Sequence, residues 1–444
     1  ASGSWSGTRN PSGSSTTGAL TANATYTLTC TGAGGSSASS VTVSVIATSG
    51  RFPLRVEPGK RHLVDANGNP FLIVGDSPWS LIVMLTDADV DIYLNDRKNR
   101  GFNSILVNLI EHEFATNAPN DIYGNAPFTR AGDYSTPNEA YFARAASVVQ
   151  KALDLDMLVL LAPSYMGYGG GSQGWYQEMR DNGPAKLRTY GRYLANRFAA
   201  YPNIIWVNGG DYDPPDRDVL DAIANGINDV STAWLQTFHG ARQTSALDFI
   251  NTNETWLTLN NIYTDDSTVA RHANEQYSKS TMPFFLVEAV YEGTTSASIV
   301  RMQAYQALLS GATGQVMGDD PIWYFGSGWK SALTRSGASS MQYLRSLFES
   351  RDWTLLHPDS SDGSRTLASD NSFEIAYFRN GMGTIDLSKL SGPNVRARWY
   401  DPTNGTYATV PGSPFPASGS QVFARGVGNS QGDGDWVLVL ESQP

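Results

Sequence analysis

At 444 residues the chain is longer than one ordinary domain, and the length suggests about three. Its 42 acidic residues exceed the 31 basic ones by 11, with no Lys/Arg-rich run, so phosphate backbones are excluded as partners and no nucleic acid is expected. No apolar stretch reaches the roughly 18 residues that cross a bilayer, and no charged-then-apolar export signal opens the chain, so it reads as a processed or trimmed form with no membrane partner.

Residues 1–50 are rich in Ser, Thr, Gly and Ala. Two alternating runs, ATYTLTC (24–30) and SVTVSVIA (40–47), flank TGAGGSSAS, which predicts a β-hairpin. The segment is similar to the last strands of a bacterial Ig-like module, here a partial one. Cys30, the only cysteine, has no activating His in its neighbourhood, so a small core residue or half of a lost disulfide is expected rather than a nucleophile.

Residues 51–355 alternate apolar strand-like runs with helical patterns, the signature of repeated βα units on a parallel sheet. The predicted strands are FLIVGD (71–76), SILVNLI (104–110), MLVLLAPS (157–164), IIWVNGGD (204–211), LQTFHG (235–240), LNNIYT (259–264), FFLVEAVYE (284–292) and GQVMGDD (314–320). Helices are predicted over 87–101, 137–153, 184–200 and 218–230. Eight such units suit an α/β fold of the (β/α)8 TIM-barrel type. A doubly wound sheet competes, but no GxGxxG follows the first strand. From 356 to 444 alternation returns in FEIAYFRN, RARWYDPTNG, QVFARG and DWVLVLE, which predicts a C-terminal β-sandwich.

In a barrel, the C-terminal tips of all strands converge on one pocket. Reading only those tips gives Asp76 and Trp79, then Glu111, His112 and Glu113, Tyr165, and Asn208 with Asp211. Later strands add His239, Tyr263, Glu288, Tyr291, Glu292, Asp319, Asp320, Trp323 and Trp329, and Trp175 follows the third. Carboxylates and aromatic rings suit carbohydrate: sugar faces stack on Trp and Tyr, and cleavage needs one carboxylic acid to protonate the leaving oxygen and one carboxylate to attack or activate water. Asp211 and Glu288 are the natural pair, because the fourth and seventh strands face each other across eight. The plainer alternatives are a helix-capping role for Asp211 before PPDRDVL and an arginine partner for Glu288. The tryptophans could equally be core residues.

Other chemistries fit less well. His112 and His239 could suggest a metal with Glu111 or Asp76, yet no HExxH and no two-His helical spacing occurs, so no metal or other cofactor is expected. A Ser-His-Asp hydrolase lacks its GxSxG elbow. The Gly-rich run GYGGGSQG (167–174) lacks the Lys-Ser or Lys-Thr of a phosphate loop and reads as a mobile loop over the pocket.

The phrases FLIVGDSPWSL with YLNDRKNRGFNSI, YPNIIWVNGGDYDP, PFFLVEAVYEG and GATGQVMGDDPIW resemble the apiosidase-like glycoside hydrolases. ARWYDPTNGTY and GDGDWVLVLE are similar to the small β-sandwich that this family carries under a collagen-binding label. The resemblance spans about residues 51–444 and implies a (β/α)8 catalytic domain. It implies Asp211 as acid/base, Glu288 as nucleophile, a match for the family's aspartate and tryptophan in Asp76 and Trp79, and activity on pectic side chains.

The expectation is a secreted, monomeric, metal-independent glycoside hydrolase acting on a plant cell-wall or related polysaccharide, the signal peptide not being part of this chain. A carboxyl separation of about 5 to 5.5 Å would make it retaining and roughly 6.5 to 9.5 Å inverting. The rival expectation is a non-catalytic carbohydrate- or matrix-binding protein on a degenerate barrel, and the flanking modules could merely brace that barrel.

Overall fold

A computed structural model describes residues 24–43, 50–250 and 254–444. Its centre is a parallel sheet of eight strands: β1 (Ile73–Asp76), β2 (Ser104–Asn108), β3 (Leu158–Ala162), β4 (Ile204–Gly209), β5 (Gln236–His239), β6 (Asn260–Tyr263), β7 (Phe284–Glu288) and β8 (Gly314–Met317). Every residue of these strands is buried, as expected for strands with side chains inside the ring on one face and helices on the other. The spatial order β5-β4-β3-β2-β1-β8-β7-β6 is a ring opened between β5 and β6. That seam is bridged rather than laddered: the Leu259 N–H reaches the Gln236 carbonyl at 3.1 Å, and Asn261 Nδ2 donates to the Phe238 carbonyl at 2.6 Å and Thr237 Oγ1 at 2.9 Å. The fold is the TIM barrel that the alternating pattern predicts.

The outer layer holds α1 (Asp87–Asn99), α2 (Glu139–Asp154), α3 (Tyr176–Arg197), α4 (Arg217–Asn228), α5 (Val269–Lys279), α6 (Ala297–Leu309) and α7 (Ser336–Glu349). In α2 the apolar positions Phe142, Ala145, Ala146, Val149 and Leu153 recur at helical spacing and are buried, and the Asn138 side chain accepts from Ala140 N at its start. The helix expected from Pro184 begins earlier, at Tyr176, and bends at Gly183 (φ 72°) just before the proline. Pro184 therefore starts a second helical segment, where its missing N–H costs nothing. Among the described residues between β5 and β6, only the single turn Ala246–Phe249 is helical.

The C-terminal region is an antiparallel sheet of seven strands, whose centre is β9 (Phe373–Phe378), β10 (Asn394–Tyr400) and β11 (Trp436–Gln443), with β11 between the other two. Both faces of this sheet are buried, and strand alternation explains how. Phe373, Ile375, Tyr377, Val437 and Val439 join the core of the barrel, whereas Ala376, Phe378, Trp399, Leu438 and Leu440 form a separate core inside the sandwich. That second core is closed by the small sheet Met382–Asp386 with Ser420–Ala424. The barrel and this sheet are also pinned by charge. Arg301 on α6, fully buried, donates to Asp435 at 2.8 and 2.7 Å and to Asp433 at 2.6 Å, and Tyr377 bonds Asp435 at 2.9 Å.

A hairpin, Ala24–Gly32 with Gly35–Val43, forms a compact unit of its own. Its second strand starts earlier than the alternation suggests, because the turn is just Ala33-Gly34 and Gly35 takes φ 118°. Residues 44–47 of the expected strand lie outside the described residues. Cys30 is exposed opposite Ser37, so it fills no core. No helix among the described residues is long and apolar enough to cross a membrane.

Candidate active site

β4 ends in Asn208-Gly209-Gly210-Asp211, and the backbone explains the glycines. Gly209, Gly210 and Asp211 have φ of 91°, 130° and 53°, three consecutive left-handed residues. A Cβ at Gly210 would lie 2.2 Å from the Tyr165 ring, and one at Gly209 would lie 2.6 Å from the His239 carbonyl. Asp tolerates this conformation better than most residues, so the strained turn delivers a carboxylate to the mouth of the barrel. Three bonds hold Asp211 there. Its N–H donates to His239 Nδ1 at 3.2 Å, its carbonyl accepts from the Gly169 N–H at 3.3 Å, and its Oδ2 accepts from the Tyr165 hydroxyl at 2.7 Å.

Glu288 is the last residue of β7, almost fully buried. His239 Nε2 bonds its Oε2 at 3.0 Å. Because Nδ1 already accepts from Asp211, the ring hydrogen sits on Nε2 and points at Glu288. Burial and the neighbouring Asp211 push the Glu288 pKa up, while His239 and Tyr291 favour its charged form. For His239 burial opposes a charge, but Glu288 and Asp211 more than offset it, and the net direction is upward. Burial and the two carboxylates likewise raise Tyr165 and Tyr263, which stay neutral hydroxyls.

Donor atoms of Asp211, His239 and Glu288 all lie within 4.8 Å of one another. This is the only such trio among the described residues, and by distance alone it could hold a cation. Its chemistry argues otherwise. With Nδ1 accepting from Asp211, the neutral ring keeps its one hydrogen on Nε2, so Nε2 has no lone pair for a metal.

The two carboxylates open into a cavity of about 570 Å³, within the range of small-ligand sites. Trp79, Tyr165, Tyr263, Tyr291 and Trp323 supply its aromatic walls. Trp79 Nε1 donates to the Tyr291 hydroxyl at 3.0 Å and its ring meets the His239 ring edge-on at 5.6 Å, so the wall next to Glu288 is fixed.

Other strand-tip residues lie elsewhere. Asp76 is buried against Arg97 Nε and the Tyr93 hydroxyl, each at 2.6 Å, as a partner of α1. Glu111 folds back to accept from the Ala115 N–H, and burial pushes its pKa up to about 7. His112 bonds Glu178 at 3.0 Å and packs on Trp175, which meets Phe128 and Tyr134 beside α3. Asn208, on the same face of β4 as Trp206, donates to Gln236 at 3.0 Å, and Gln236 in turn bonds Ala224 and Asn228 of α4, so Asn208 faces the helix layer and not the cavity. Asp319 pairs with Arg335 at 2.8 Å and is pushed up to about 8, mainly by burial. Trp329 packs edge-on against Phe325 at 5.1 Å.

Asn108, Arg242 and Thr294 line the cavity without a place in the sequence reading, and Phe114, Tyr168 and Gln173, not singled out there, come from two segments, LIEHEFA and the Gly-rich run, of which the second is expected over the pocket. Asn108 had a signal, since it is the true last residue of β2, whereas the expected strand ran on to Ile110. The others stand on loops, where no periodicity marks direction.

The model of the family described as "Apiosidase-like, catalytic domain" matches residues 57–355, and that of "Putative collagen-binding domain of a collagenase" matches 354–441. Among solved structures, one named "Glycoside hydrolase" aligns at 23% identity over 90% of this chain and 98% of its own, with a TM-score of 0.76. A glycoside hydrolase family 5 structure from Bacteroides vulgatus ATCC 8482 aligns at 23% identity over 88% of this chain and 93% of its own, also with a TM-score of 0.76. At that identity the likeness is one of fold. No curated protein matches the chain by sequence. With the catalytic-domain match running through all eight barrel strands and the cavity they carry, the chain belongs to the apiosidase-like glycoside hydrolases and is an enzyme of glycosidic-bond hydrolysis.

Proposed function

We propose that this enzyme cleaves a polysaccharide of the plant cell-wall pectic or related type with retention of configuration, using Asp211 as acid/base and Glu288 as nucleophile. The observation that carries the reading is the closeness of the two acids: an oxygen of each lies within 4.8 Å of the other, which supports attack by one on a sugar carbon while the other serves the departing oxygen. Glu288 attacks the anomeric carbon as Asp211, through the oxygen not held by Tyr165, gives its proton to the departing oxygen. Water then replaces Glu288 on that carbon while Asp211 takes back a proton, so both groups return to their starting state.

The His239 bond keeps Glu288 aimed and favours the anion that attacks. The aromatic walls give sugar faces apolar contact, and Asn108, Arg242 and Asp320 offer hydroxyl partners. A polymeric substrate places the enzyme outside the cell. The test is proton NMR of the first-formed anomer during cleavage of pectic and hemicellulosic polymers. Retention is expected, an inverted product would overturn the assignment of Glu288 as nucleophile, and Asp211→Asn and Glu288→Gln should each abolish release while sugar binding persists.

A further inference from the structure

The Gly-rich run after β3 is not an open flap. Its neck is zipped backbone to backbone: a Cβ at Gly174 would lie 2.2 Å from Gly167 N, and one at Gly167, where φ is 91°, 2.6 Å from Gly174 N. Within it the Gly170 N–H returns to the Gly167 carbonyl at 2.8 Å, and Gln177 Nε2 donates to the Gly170 carbonyl at 2.9 Å. Gly170 packs so closely on Tyr212 and Tyr176 that a Cβ there would lie 2.7 Å from the Tyr212 ring. Two residues of this frame line the cavity, Gln173 and Tyr168, and Tyr168 is 77% exposed. A large ring held out to water by a loop with a closed neck is a preorganised contact surface, for which little ordering remains to be done when a ligand arrives.

The position of the frame says which part of a ligand it meets. The Gly169 N–H bonds the carbonyl of Asp211, and the Met166 N–H bonds that of Gly209, so the loop is built onto the turn that carries the acid. Tyr291, bonded to Trp79, stands beside Glu288, and Thr294, Asp320 and Trp323 also line the cavity. In a displacement the leaving group departs on the face where the acid stands. Resting on the assignment of Asp211 and Glu288 above, we infer that Tyr168 and Gln173 form a leaving-group subsite. Tyr168 stacks on the apolar face of the sugar ring that departs and Gln173 bonds its hydroxyls, so the substrate class is one in which the leaving group is itself a sugar residue of a chain.

The experiment compares wild type with Tyr168→Ala and Tyr168→Phe by reducing-end release from rhamnogalacturonan, arabinogalactan, xyloglucan and mannan, followed by kcat/KM and its pH profile on each polymer cleaved. Tyr168→Ala should lower kcat/KM about tenfold or more, mainly through KM, as loss of one stacked ring predicts. Tyr168→Phe should restore it, and the pH profile should keep its shape in both. Equal kcat/KM in wild type and Tyr168→Ala overturns the subsite while leaving the hydrolase reading intact. A changed pH profile in Tyr168→Ala also overturns it, since that would mean the loop acts by misplacing Asp211. A wild type that releases nothing from any of the four polymers overturns the polysaccharide reading and the subsite together.

Discussion

His239 and Glu288 meet at 3.0 Å, ring nitrogen to carboxylate, both buried, and the orientation of that bond is set from the far side of the ring by the backbone N–H of Asp211. One imidazole thus ties the backbone of Asp211 to the carboxylate of Glu288. His239→Ala removes a donor that favours the charged form of Glu288, leaving burial and Asp211 to raise its pKa further. The acidic limb of the kcat/KM profile should therefore move to higher pH, and kcat should fall about 100-fold, as for the loss of one preorganised donor. A pH–rate series on wild type and variant checks this; an unmoved acidic limb would show that the ring does not tune Glu288.

Gly210 occupies φ 130° with the Tyr165 ring where a Cβ would go. Gly210→Ala must displace that ring, whose hydroxyl holds Asp211. We expect a stability loss of about 1–3 kcal/mol from strain. We also expect a fall in kcat of more than tenfold, measured well below the melting temperature, so that misplacement is separated from unfolding. Calorimetry and single-temperature kinetics together read both.

Dialysis against EDTA should leave activity unchanged. Asp211, His239 and Glu288 have the spacing of a cation site, but Nε2 of His239 holds a hydrogen aimed at Glu288 and Asp211 is already bonded to Tyr165. Activity lost on chelation and restored by a divalent ion would put a metal on this trio.

The barrel was legible because apolar runs that end in Gly, Asn or acid are what a strand buried on both faces must look like. Asp211 and Glu288 were visible for the same reason, each standing where such a run stops. What the sequence hides is which tip acid a neighbouring helix claims. Asp76 stands at a strand tip as plainly as Glu288 does, yet Arg97 and Tyr93 of α1 neutralise it inside the wall. Asp319 is taken by Arg335 in the same way. Position along a strand gives height in the barrel and says nothing of a guanidinium arriving from elsewhere. The Gly-rich run is expected over the pocket, but as a mobile loop; that its neck is closed, and that Tyr168 and Gln173 are the residues it offers, shows only in the close approach of Gly167 to Gly174.

Glu374 on β9 points into the sandwich with Ala376 and Phe378, fully buried and with neither oxygen hydrogen-bonded. Burial first, then Asp359, pushes its pKa from 4.5 up to about 7, against Arg365 and Lys389. A carboxyl raised in the folded state binds its proton more tightly there than in the unfolded chain. Its favourable contribution is complete below about pH 4.5 and is lost as pH climbs through about 7, a change of up to about 3 kcal/mol. Glu374→Gln, neutral throughout, should gain melting temperature relative to wild type at pH 8 and little at pH 5. Equal differences at both pH values would mean that the side chain finds a partner or water in solution.

Arg301 reaches from the barrel's own helix to Asp433 and Asp435, and the rings of Tyr305 and Tyr377 stack across the same boundary at 4.8 Å. Cutting the gene between barrel and sandwich would strip a guanidinium of both counter-ions and wet a seam of aromatic surface. Anyone transplanting this catalyst into another scaffold would have to carry both halves as a single piece of cargo.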